Sequence, residues 1–181
     1  MKEILLEEIK RCIASWENKE DIYAVSLFVY DEDDDPCQPT VTLGYNTLSN
    51  YMSYGEDLED EEEALEIKWN YAFWLQNCEL EFGTGESREI VQEWLEENGF
   101  PCDSLEEEDY EEEDLYEVTE AFIDVLVEVV QELHSSGFIQ EQFGKEIPVI
   151  IHELEYYDEI ARQNQRANPA ETIEEFLEFC G

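Results

Sequence analysis

The apolar residues follow two different periods along the chain. Leu5, Ile9, Cys12, Ile13 and Trp16 recur every three or four residues, with Glu3, Glu7, Lys10 and Arg11 between them. That spacing predicts a helix with one apolar face. After a polar break from Asn18 to Asp21 the period changes. Ile22 to Tyr30 (IYAVSLFVY) is short, nearly all apolar and rich in β-branched and aromatic residues. It reads as a central strand buried on both faces. Asp31 to Pro39 is a loop, and Thr40 to Thr47 then alternates, with Val41, Leu43 and Tyr45 on one side. A second strand, antiparallel to the first, is expected there.

Further on, a helix should start near Asp60 and run through Ala64, Leu65 and Lys68. Tyr71 to Phe82 fits helix and strand alike. A turn at Gly83-Thr84-Gly85 precedes a helix carrying Ile90, Val91, Trp94 and Leu95, with Ser87 as its expected cap and Gly99-Phe100-Pro101 as its stop. Leu115 to Leu133 is the longest helical pattern. Its polar positions Glu117, Glu120, Asp124, Glu128 and Gln131 form one narrow stripe, so the helix should be buried on most sides. Ile147 to Ile151 reads as a third strand, with Pro148 placing one end at a sheet edge or at the strand start. Tyr156 to Gln165 is a short helix. Asn168-Pro169-Ala170-Glu171 then has the residues of a helix start, ahead of Ile173, Phe176 and Leu177. Together these predict a single α+β domain over residues 1–181, with a small, mostly antiparallel sheet packed by five or six helices.

Charge changes the picture from fold to function. Asp and Glu number 50 against nine Lys and Arg, a formal net charge of −41. Hydrophobic residues still make up 43% and aromatics 13%, so the acidity decorates a folding chain rather than a disordered one. Such a surface repels nucleic acid and anionic membranes and attracts a basic partner. The carboxylates concentrate in three blocks, Asp31–Asp35, Glu56–Glu63 and Glu106–Asp114. Asp33, Asp34, Asp35, Glu61, Glu62 and Glu63 are the candidate steering residues, with Tyr51, Tyr54 and Tyr110 as candidate anchors. The bland alternative is a solvated acidic surface with half-buried packing tyrosines.

No sequence pattern completes a catalytic or metal site. His152-Glu153 opens like a zinc-protease HExxH, but position 156 is Tyr156. Asp31, Asp33 and Asp35 open like a calcium loop, yet its glycine and final glutamate positions hold Pro36 and Thr42. No cofactor is expected. Five scattered cysteines without a CxxC pair predict separate, mostly buried free thiols and a reducing, cytoplasmic location. The charged N-terminal segment is unlike a signal peptide.

Three stretches carry a family likeness: Trp69-Asn70-Tyr71-Ala72-Phe73-Trp74-Leu75, Phe82-Gly83-Thr84-Gly85-Glu86, and Ile147 through Tyr157 (IPVIIHELEYY). They resemble a bacterial family known only as a domain of unknown function. Such families are similar in size and acidity to the immunity proteins of polymorphic-toxin systems. The resemblance implies a non-enzymatic protein that occludes a basic toxin domain, such as a nuclease. The alternatives are an acidic binding module or nucleic-acid mimic outside toxin systems, and an enzyme with a carboxylate-bound metal.

Overall fold

The computed structural model describes residues 1–54, 60–100 and 112–181, with only the backbone for 112–116. Four strands form one mixed sheet in the order β3-β2-β1-β4. β1 (Ile22–Asp31) lies at its centre. It pairs antiparallel with β2 (Pro39–Thr47) and parallel with β4 (Val149–His152). β3 (Leu80–Phe82) pairs antiparallel with β2 on the far side. The architecture is α+β, as the apolar periods imply.

Because strand side chains alternate, the two faces of β1 serve different cores. Val25, Leu27 and Val29 point to one face with Val41, Leu43, Val149 and Ile151. That face is covered by α1 (Lys2–Ser15), α4 (Arg88–Glu97), α5 (Glu112–Ser135) and α6 (Phe138–Phe143). Leu5, Ile9 and Ile13 of α1 are wholly buried there, as are Phe122 and Leu126 of α5. Ala24 and Ile150 point the other way, into a cluster with Trp69, Trp74, Ile160, Ile173 and Phe176. This second core is covered by α3 (Glu61–Trp69), α7 (Asp158–Ala167) and α8 (Glu174–Cys180), with α2 (Leu48–Ser53) at its margin. Sheet with helices on both faces gives every apolar β1 side chain a partner layer.

The described residues hold eight α-helices, more than the periodicity suggested. The additions, α2 and α6, are six residues each, too short for a periodic signal. Tyr71 to Phe82 forms neither long helix nor long strand. Asn70 accepts from the Ala72 N–H and starts a single 3₁₀ turn, and Gln76 takes a left-handed conformation before β3 begins. Gly44 makes room for this segment. A Cβ there would stand 2.4 Å from the Asn77 backbone oxygen.

Two expected caps act differently. The Ser87 hydroxyl caps no helix N–H; it accepts from the Gly83 N–H and donates to the Thr84 carbonyl, closing the turn before α4. Asn168 does not start a helix either. It is buried and, with Asn164 one turn earlier on α7, lines the outer edge of β4. Val149 and Ile151 donate their N–H groups to the side-chain oxygens of Asn168 and Asn164, at 2.8 and 2.9 Å. The two amides donate back to the Val149 and Ile151 carbonyls, at 2.9 and 2.7 Å. Four residues of helix advance about 6 Å, and two residues of strand about 6.6 Å. Two asparagines at i and i+4 can therefore match the outward-facing peptide groups of a strand, as a neighbouring strand would.

Cysteine usage also departs from expectation. Cys37 is disulfide-bonded, whereas Cys12, Cys78 and Cys180 are free; Cys102 lies outside the described residues. A disulfide removes the argument from cysteines to a reducing compartment. Among the described residues, no helix is long and apolar enough to cross a membrane.

Candidate functional site

The sequence-predicted residues divide between opposite ends of the sheet. Asp33, Asp34 and Asp35 sit in the β1–β2 connection, beyond the carboxyl end of β1. Tyr51 and Tyr54 follow the other end of β2, and nine strand residues at ~3.3 Å each put roughly 30 Å between the two groups. They form two surfaces, not one.

At the Tyr54 end the geometry is built from polar links. The Thr47 hydroxyl caps α2 by accepting from the Asn50 N–H, at 3.1 Å. Asn50 donates to the Asn46 side chain and to the Phe73 carbonyl. Asn46 in turn donates to the Tyr23 hydroxyl, which donates to the Lys68 carbonyl, tying α2 and α3 to the sheet. Tyr54 is then held edge-on against Phe73, with ring centroids 5.4 Å apart. Met52, Tyr54 and Leu75 are all exposed at this end. Tyr51 is half-buried, packs on the second core and meets Tyr23 edge-to-face, so its ring is largely a packing group. Glu61, Glu62 and Glu63 form the exposed first turn of α3 behind the Asp60 cap. Negative charge is favourable at that helix end. Tyr110 lies outside the described residues, as do parts of the second and third acidic blocks.

At the other end, Asp33 and Asp34 are exposed and left-handed, whereas Asp35 is occupied. Its carboxylate accepts from the Cys37 N–H and the Gln38 amide, so it shapes the loop. Among the described residues, no three His, Cys, Asp or Glu side chains converge as metal ligands.

Beside this loop, a groove of about 800 Å³ opens at the carboxyl ends of the parallel pair β1 and β4, between α5 and α7. It has no local signature in the sequence, since it needs the parallel pairing of segments over a hundred residues apart. Asp31 ends β1 and Glu153 follows β4. Burial raises the Asp31 carboxyl to about 6, and the nearby charges of Glu153, Asp35 and Asp34 push the same way. The Tyr157 hydroxyl donates to the Glu153 carboxylate, at 2.7 Å. Leu154 stands 74% exposed at the rim. The two groove arginines are already engaged. Arg166 pairs with Asp124 at 2.7 Å, and Arg162 with Glu159 and Asp158.

Among the described residues, Ser26 and His152 have the outline of a nucleophile–base pair. The His152 Nδ1–H donates to the Glu153 carbonyl at 3.0 Å, which leaves Nε2 to accept from the Ser26 hydroxyl at 2.8 Å. Ser26 is only 3% exposed and His152 wholly buried, inside a cage of Phe28, Tyr71, Trp74 and Tyr156. Burial lowers the His152 pKa to about 4. No substrate reaches this pair without unpacking the cage, so in this geometry it is a polar fastener between β1 and β4.

No protein-family model matches the chain, and neither a curated protein nor a solved structure matches it.

Proposed function

We propose that the protein is a non-enzymatic acidic binding protein, an immunity protein that neutralises a basic bacterial toxin domain by covering its active site. The observation that carries this reading is the charge: −41 over 181 residues. That charge is net of all nine basic side chains, of which Lys2, Arg11, Lys68, Arg162 and Arg166 pair with carboxylates. A field of that size works against compactness and speeds encounter with a cation-rich partner. A nuclease fits, since its substrate groove is shaped to hold polyanion. Exposed Tyr54 and Met52 supply apolar contact on the acidic surface. Seclusion of the Ser26–His152 pair supports a role without catalysis.

A neighbouring gene for a large secreted protein with a variable C-terminus would favour this reading, and the test is reconstitution with the C-terminal domain of such a protein. A one-to-one complex that abolishes the domain's activity is expected. A toxin domain that stays fully active with excess protein present would refute the reading.

A further inference from the structure

We propose that the groove at the carboxyl ends of β1 and β4 receives an arginine- or lysine-bearing segment of the partner protein, its cationic head between Asp31 and Glu153 and its apolar flank on Leu154 and Ile123. The proposal deepens the reading of the partner as basic. Two carboxylates from adjacent parallel strands face one cavity, and no cation among the described residues pairs with either. Their mutual repulsion, together with burial, already disfavours the ionised form of Asp31. A cation held between the two carboxylates would offset that repulsion and favour the ionised form of Asp31.

The walls fit the rest of such a side chain. Ile123 is buried in the groove wall, and Leu154 is the most exposed of the large hydrophobic side chains among the described residues. A long basic side chain lays its methylene stem on apolar surface and keeps its head polar.

The experiment uses the whole chain and a blocked tetrapeptide alternating leucine and arginine, at neutral pH and ~0.15 M salt, where long-range attraction is screened within ~8 Å. Methyl NMR should show the peptide shifting Ile123 and Leu154 signals. Replacing Asp31→Asn with Glu153→Gln should weaken binding by ~10-fold or more. Glu3→Gln with Glu7→Gln removes the same charge from the exposed side of α1, outside the groove and the steering residues, and should change it less than about twofold. Each variant's thermal midpoint establishes that it is folded. Equal weakening by both pairs, or unmoved Ile123 and Leu154 methyls, overturns the proposal. If the toxin domain still binds in that case, the groove assignment alone falls. If the peptide seats in the groove but no toxin domain binds, the toxin reading falls instead.

Discussion

His152 and Asp31 show how the same fold drives two residues' protonation in opposite senses. Burial holds His152 neutral, with its pKa lowered from 6.5 to about 4. Between those values the unfolded chain binds the extra proton, so this contribution to stability is present above pH 6.5 and lost as pH falls towards 4. The loss is about 3 kcal/mol across the window. Urea unfolding of wild type and His152→Gln should show that slope in wild type and a flatter one in the variant. Asp31 behaves conversely, since its pKa is raised from 3.8 to about 6. Its contribution is full below pH 3.8 and lost as pH rises through 6. Asp31→Asn should therefore gain about 1–3 kcal/mol at pH 7 and much less at pH 4, read from urea midpoints. A loss of stability at neutral pH in that variant would contradict the account of the groove. Neither shift is legible in the sequence. His152 there is one letter of a failed zinc motif, and Asp31 is one of several loop aspartates.

At the scale of elements, the prominent patterns were readable and the unusual joins were not. The apolar run Ile22–Tyr30 announced a doubly buried strand, and the helix expected from near Asp60 through Lys68 is α3; both are present. Asn168 was misread because Asn-Pro looks alike whether it caps a helix or ends one. Only the position of β4 beside α7 assigns its amide to a strand edge. That edge predicts its own mutants. Asn164→Leu and Asn168→Leu each leave one N–H and one carbonyl of β4 without these partners, at about 1–3 kcal/mol per residue. The double variant should also self-associate, because an uncovered strand edge pairs with copies of itself. Denaturant unfolding and sedimentation check the two parts. Gly44→Ala should be comparably damaging, because the Cβ would meet backbone at 2.4 Å rather than a movable side chain. The Gly83 turn and the Gly99 stop were visible beforehand, since turns and helix ends are encoded locally. The parallel β1–β4 pairing, and with it the groove, is a long-range property.

Over the whole molecule, net charge is the feature that the sequence displays most plainly and the fold explains least. The sheet and its two cores do not need it, and self-repulsion works against them. Moderate salt should accordingly raise the thermal midpoint by screening repulsion, within the range where a Debye length falls from ~30 to ~8 Å. Steering requires that these charges act before contact and matter less after it. The most direct measurement is stopped-flow association with the basic toxin domain that the proposed function calls for, at low and high salt. Wild type should be compared with Glu61→Gln/Glu62→Gln/Glu63→Gln and with Asp33→Asn/Asp34→Asn/Asp35→Asn. The on-rate should fall by about tenfold or more as salt rises, the dissociation rate should change far less, and at least one triple variant should bind more slowly while remaining folded. An on-rate indifferent to salt and unchanged in both variants would contradict the central claim that the acidic surface exists to capture a basic partner.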